Sequence, residues 1–139
     1  MNLELPIQIA GLLHLLLAVA HVFMPKRFGW KEELARLSLL NRQIFLVHCL
    51  FIVVVLVLFG VLSLGFTALL LAPGPLARVV LSGLVFFWAL RLLAQWFIYD
   101  ARLWRGDPFN TAMHFLFTGL WIYHVAVYGL ALRQQFPTS

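Results

Sequence analysis

Four long apolar segments constrain the fold of this chain more than any other feature. They lie at about residues 5–24, 42–71, 78–99 and 109–132 of the 139-residue sequence. Each has the length of about 20 residues that an α-helix needs to cross the hydrocarbon core of a bilayer. None of them alternates polar and apolar residues as the strands of a membrane β-barrel do. The sequence therefore predicts an all-α integral membrane protein, in which residues 1–139 form a single domain, a bundle of four transmembrane helices in up-down topology.

The composition also favours lipid over water as the surroundings of the chain. Hydrophobic residues make up 63% of the sequence and charged residues only 11%, whereas soluble domains are about half apolar and about a quarter charged. The net charge of +5 comes mostly from Lys and Arg residues that flank the apolar segments and suit anionic lipid. No basic run alternates with aromatic residues, so nucleic acid is not an expected partner. The single cysteine, Cys49, excludes an intrachain disulfide and a CxxC metal site.

The connections between the segments predict the orientation of the chain in the membrane. Those after the first and third segments carry seven basic residues: Lys26, Arg27, Lys31, Arg36, Arg42, Arg102 and Arg105. The opposite side has only Arg78 and Arg133. Because basic connections stay in the cytoplasm, we expect both termini outside it, in a bacterial inner (cytoplasmic) membrane. The first segment lacks a basic leader region and a small-residue cleavage pattern, so we expect it to be a retained helix.

Several polar side chains lie inside the apolar segments, where they are costly unless they face the bundle interior and a partner. Counted from the cytoplasmic ends at a rise of ~1.5 Å per residue, six of them are about 5 to 15 Å deep: His14, His21, His48, His114, Arg91 and Gln95. His124 lies apart, about 22 Å from the cytoplasmic end. The sequence therefore predicts one polar layer in the cytoplasmic half.

Spacing along each segment also places these residues on shared helix faces. His14 and His21 are seven residues apart, which is the seam spacing of a left-handed bundle. Arg91, Gln95 and Tyr99 recur every four residues and form one stripe. Equivalent stripes on the other segments contain Asn41 with His48, and Thr111, His114, Thr118 and Trp121. We expect the stripes to line a shared interior site.

The residue types in this layer favour imidazole chemistry. The apolar segments contain no carboxylate, which argues against a carboxylate-bridged di-iron site and against a proton or sodium relay. Two histidines on facing helices would suit a b-type haem (heme b), with His14 or His21 opposite His48 or His114. Arg91 or Arg42 would then neutralise a haem propionate. Alternatively, His21, His48 and His114 would hold zinc, copper or iron and leave an open position for water or substrate.

These metal hypotheses predict redox or metal-dependent oxidoreductase chemistry, and two further hypotheses need no metal. A wall formed by Arg91, Gln95, Tyr99 and Arg42 would bind a lipid head group or a quinone, since arginine presents paired donors to oxygen atoms. A chain with so little surface outside the membrane also suits a homo-oligomer or a non-catalytic accessory subunit of a larger respiratory or photosynthetic membrane complex. Whether the protein is an enzyme stays open at this point.

Overall fold

The computed structural model describes residues 2–136, and the regular structure within them is helical. The elements are α1 (Glu4–Arg27), α2 (Trp30–Ala35), α3 (Leu39–Gly65), α4 (Thr67–Leu71), α5 (Pro75–Phe97), a 3-10 turn (Ala101–Leu103) and α6 (Pro108–Gln134). Four of these helices, α1, α3, α5 and α6, have 23 to 27 residues and are apolar enough to cross a membrane. These elements confirm the prediction of an all-helical fold with four helices of the membrane-spanning type.

Local sequence signals account for several helix ends. Ser38 precedes α3, and its hydroxyl accepts a hydrogen bond from the backbone N–H of Asn41. Asp107 precedes α6, and its carboxylate accepts from the two backbone N–H groups of Phe109 and Asn110. The helices α5 and α6 each begin with a proline, whose missing N–H is not needed in the first turn. These residues satisfy backbone groups that a helix end otherwise leaves without partners.

The apolar segment at residues 42–71 contains two helices instead of one. The backbone of Phe66, at φ −126° and ψ 23°, leaves the helical conformation and ends α3 at Gly65. The five-residue helix α4 then begins at Thr67. Hydrophobicity continues across residues 65–67, so the hydropathy pattern carries no signal for the break between α3 and α4.

The chain forms two compact units. The first consists of residues Gln8–Phe66, and the second combines the residues up to Ile7 with those from Thr67 onwards. In the unit of residues Gln8–Phe66, α1 and α3 approach each other closely at Gly11 and Gly60. A methyl group added to Gly11 would lie 2.8 Å from Leu64 Cγ and 3.1 Å from the Gly60 carbonyl oxygen. Small residues permit this backbone approach between apolar helices.

In the other unit, α5 and α6 pack along their length through large aromatic side chains. Trp88 of α5 stacks on Trp121 of α6, with ring centroids 4.9 Å apart and planes at 16°. Both rings are buried, as is Tyr128, two turns further along the same face of α6. The hydroxyl of Tyr123 donates to the carbonyl of Pro6 at 2.9 Å and joins the first residues of α1 to α6.

A buried glutamine fastens the end of α6 to the segment before α5. The side-chain nitrogen of Gln135 donates to the carbonyl oxygens of Leu70 and Leu71, at 3.1 and 3.4 Å. Its oxygen accepts from the backbone N–H of Gly74 at 3.1 Å. One side chain therefore satisfies three backbone groups around the α4–α5 turn.

The loop between α5 and α6 contains the one ion pair among residues 2–136, between Arg102 and Asp100 at 2.6 Å. The side-chain and backbone hydrogen bonds from Arg102 lower the pKa of the Asp100 carboxyl below its ordinary value. Gly106, at φ 90°, takes the left-handed conformation that glycine adopts most readily, one residue before the Asp107 cap.

Candidate functional site

Gln95 is the centre of a polar cluster between α5 and α6. Its side chain is buried, with 6% of its surface exposed. Its Oε1 accepts hydrogen bonds from Arg91 Nη1 and Trp121 Nε1, both at 3.4 Å. Its Nε2 lies 2.9 Å from Nδ1 of His114. We call these four residues, Arg91, Gln95, His114 and Trp121, the Gln95 cluster.

The hydrogen bonds fix the orientation of the Gln95 amide. Guanidinium and indole N–H groups can only donate, so the amide oxygen must face Arg91 and Trp121. The amide nitrogen must then donate to His114. Nδ1 of His114 is therefore the acceptor, and the neutral ring carries its hydrogen on Nε2. His114 thus offers an N–H donor at Nε2, whereas a metal would need a lone pair there.

Arg91 brings a half-buried positive charge to the cluster. Its guanidinium carbon lies 4.8 Å from the centroid of the Trp121 ring and 5.5 Å from that of Tyr99. Ring faces attract cations, and more strongly so away from water. Within residues 2–136 the one ion pair joins Arg102 to Asp100, so no carboxylate in that part of the chain pairs with Arg91. The guanidinium, which has five N–H donors, retains donors for a further partner.

The loop before α6 covers His114 with a tryptophan. Trp104 stacks on the His114 ring at a centroid distance of 4.1 Å and an angle of 14°. The first turn of α6 holds this loop in place. The hydroxyl of Thr111 donates to the Trp104 carbonyl, and the side-chain amide of Asn110 donates to the Leu103 carbonyl at 3.1 Å.

Beyond the cluster, aromatic stacking continues to His124. The buried His124 ring lies 4.5 Å from the Trp88 ring, at 26° to its plane, and Trp88 in turn stacks on Trp121. Nδ1 of His124 donates to the carbonyl of Leu120 at 2.7 Å. His124 is thus packed among the rings of Trp88, Tyr123 and Tyr128.

The remaining three histidines lie in the unit of residues Gln8–Phe66 and share one arrangement. Nδ1 of each lies 2.6 to 2.7 Å from the carbonyl four residues earlier: His14 to Ala10, His21 to Leu17 and His48 to Ile44. A carbonyl only accepts, so each Nδ1 donates and leaves the lone pair on Nε2. His14 is buried, His21 is half-buried and His48 is exposed.

The structure brings together four of the predicted site residues, namely Arg91, Gln95, Tyr99 and His114. Among residues 2–136, no group of three or more His, Cys, Asp or Glu side chains that could hold a metal ion is found. The predicted site of His21, His48 and His114 for zinc, copper or iron therefore gains no support. Arg42 lies half-buried in α3, and its part in a binding wall stays a prediction.

Sequence reasoning missed the contribution of Trp104. Its position over His114 depends on hydrogen bonds from Asn110 and Thr111 to the loop, and no local sequence pattern predicts these bonds. The Trp–Gly–Asp–Pro composition of the loop predicts a turn and a helix start, but not which ring lies over the cluster.

No family model matches the chain, and neither a curated protein nor a solved structure does. The fold and the site define its class by their own geometry. It is a helical, membrane-type protein with a donor-rich polar cluster between two of its four long apolar helices.

Proposed function

We propose that this chain is an integral membrane protein that binds a ligand from the lipid phase at the Gln95 cluster, through ligand oxygen atoms that accept hydrogen bonds. The observation that carries the proposal is the half-buried Arg91, which no described carboxylate neutralises. A charged side chain within a membrane span is costly and usually marks a functional site with a partner. An acceptor from the ligand would supply that partner.

The chemistry of the cluster selects the ligand. The Gln95 amide is engaged in hydrogen bonds to its three neighbours in the cluster. Arg91 and Nε2 of His114 still present N–H donors. A set of donors recognises phosphate, carboxylate or carbonyl oxygens. The exposed ring of Tyr99 and the half-buried ring of Trp104 add flat apolar surface for an acyl chain or a ring. An acidic lipid head group and a quinone both meet this description.

The basic connections support one orientation of the proposed membrane protein in the bilayer. With the connections after α1 and α5 in the cytoplasm, the four long helices cross the membrane in up-down order and both termini lie outside. The Gln95 cluster then lies in the cytoplasmic half of the bilayer. Lipids of the inner leaflet would then be the nearest ligands, and acidic phospholipids there add to the local negative potential.

Ligand binding to purified protein tests the proposal. Native mass spectrometry would compare dioleoyl phosphatidylglycerol, dioleoyl phosphatidylcholine and decylubiquinone on the wild type, Arg91→Gln and Arg133→Gln. We expect either phosphatidylglycerol or decylubiquinone to bind more tightly than phosphatidylcholine. Arg91→Gln should weaken its binding about tenfold or more, because hydrogen bonds to charged groups contribute about 1.5–3 kcal/mol. The exposed Arg133 of α6 provides the matched control. Equal binding of all three ligands, or wild-type binding by Arg91→Gln, would contradict the proposal.

A second candidate function is a redox role with a b-type haem, and the histidines of the Gln8–Phe66 unit favour it. His21 and His48 each donate Nδ1–H to a backbone carbonyl and keep the lone pair on Nε2. Metal-binding histidines show this arrangement, in which the carbonyl fixes the tautomer. His114 is a poorer ligand, because iron on its Nε2 would require the hydrogen bond with Gln95 to be rearranged.

Absorption spectra of oxidised and reduced protein, with iron analysis on the same sample, test the haem hypothesis. A Soret band and about one iron per chain are expected for axial histidine ligation. Replacing His21 or His48 by alanine should then remove the band. Colourless, folded protein without bound metal would contradict this candidate, and co-purification with larger subunits would favour the accessory-subunit alternative.

A further inference from the structure

We infer that Thr118 is a further ligand-binding residue of the Gln95 cluster, and that the ligand is an oxyanion, a phosphate or a carboxylate. The inference rests on the proposed function and makes it more specific. Its starting point is that the hydroxyl oxygen of Thr118 is buried and has no hydrogen-bond partner among residues 2–136. A threonine within a helix ordinarily bonds a carbonyl three or four residues earlier. Thr118 leaves that bond unmade.

The position of Thr118 on α6 places it beside the cluster. His114, Thr118 and Trp121 are spaced four and three residues apart, so they lie on one face of the helix. The two outer members of this set both hydrogen-bond to Gln95 of α5. Thr118 therefore lies on the α5-facing side, within the stretch of α6 that Gln95 spans.

The donors in this region match an oxyanion better than a quinone. An arginine fork binds two oxygens of one phosphate or carboxylate, and a neighbouring hydroxyl can donate to the same group. A quinone presents a single neutral oxygen at each carbonyl, which Arg91 alone would satisfy. Arg91 also has no described carboxylate partner, so a negative ligand supplies the missing charge.

We expect Arg91 to move when such a ligand binds. The Thr118 hydroxyl is covered in this structure, so a ligand reaches it only when a side chain moves aside. The guanidinium rests on the rings of Trp121 and Tyr99 and makes one 3.4 Å hydrogen bond to Gln95. These contacts are weaker than a bidentate pair with an anion, so an anion would draw the guanidinium away from the ring faces.

Two threonine variants test the inference. Dissociation constants for dioleoyl phosphatidylglycerol, oleate, inorganic phosphate and decylubiquinone would be measured on the wild type, Thr118→Val, Thr118→Ser and Arg91→Gln. We expect Thr118→Val to weaken oxyanion binding about three- to tenfold, which corresponds to one hydrogen bond. Thr118→Ser keeps the hydroxyl and should bind nearly as the wild type does. The tightest of the three oxyanions identifies the source, whether a phospholipid, a fatty acid or free phosphate.

A stability measurement separates binding from a purely structural role. Valine has nearly the shape of threonine and removes a hydroxyl without a described partner, so Thr118→Val should melt at or above the wild-type temperature without ligand. Wild-type oxyanion affinity in Thr118→Val, with weakened binding in Arg91→Gln, would overturn the Thr118 assignment and leave the proposed function standing. Preference for decylubiquinone would overturn the oxyanion assignment alone. Failure of all four ligands to bind the wild type would overturn both.

Discussion

Replacing Gly11 by leucine is expected to lower the free energy of unfolding by about 3 kcal/mol or more, the upper range for overpacking a tight contact. The reason is the close approach of α1 and α3 at this point. Even a methyl group on Gly11 would lie 2.8 Å from Leu64 Cγ, 3.0 Å from Ser63 Cβ and 3.1 Å from the Gly60 carbonyl oxygen. A flexible side chain can turn away, but the backbone carbonyl cannot, so the helices must separate.

Equilibrium unfolding in mixed micelles, with dodecyl sulfate as denaturant, measures this effect. Gly83→Leu is the matched control, because it lies in α5 and a Cβ there would meet no atom within 4 Å. The control should unfold at nearly the wild-type concentration of denaturant. Equal loss of stability in both variants would mean that the α1–α3 contact is not tight.

Replacing Gln95 by leucine should both destabilise the protein and abolish binding at the cluster. Arg91, His114 and Trp121 would each lose a hydrogen bond at once. Partners left without hydrogen bonds cost about 1–3 kcal/mol each when buried, although interhelical bonds in membranes average less. We expect a loss of about 2–4 kcal/mol in the free energy of unfolding. Arg91 and His114 would also lose the group that orients them.

Gln95→Glu separates the two effects. Its carboxylate still accepts from Arg91 and Trp121, so more stability should be retained than in Gln95→Leu. The same carboxylate neutralises Arg91 and should exclude an anionic ligand. Unfolding and phosphatidylglycerol binding would be measured on both variants and on Gln43→Leu, an exposed glutamine of α3. Tight anion binding by Gln95→Glu would show that Arg91 does not hold the ligand.

The positions of the four long helices follow from the sequence because segment length and the cost of burying polar backbone in lipid leave few alternatives. The pairing of Gln95 with His114 could be anticipated in part, since polar residues in apolar segments seek each other. The division of residues 42–71 at Phe66 could not be predicted, because it occurs within uninterrupted hydrophobic sequence.

The histidines show a different limit of sequence reasoning. The depth of a residue in the membrane can be counted along a helix from residue numbers. That count placed His14, His21, His48 and His114 in one layer. The chemistry of each ring depends instead on which nitrogen is engaged. Nδ1 of His114 accepts from a side chain on another helix, whereas Nδ1 of His14 donates to its own helix. That distinction arises from tertiary contacts, which spacing does not reveal.

The hydrogen bonds of Gln135 have a consequence for the order in which the chain matures. The glutamine is separated from its partners at Gly74 and Leu70 by 61 and 65 residues. During synthesis the α4–α5 turn is complete long before Gln135 emerges. The backbone groups of the turn must therefore rely on water or lipid head groups until α6 and Gln135 have been synthesised. A turn made early in synthesis is thus closed only after the whole of α6, by a side chain that follows that helix.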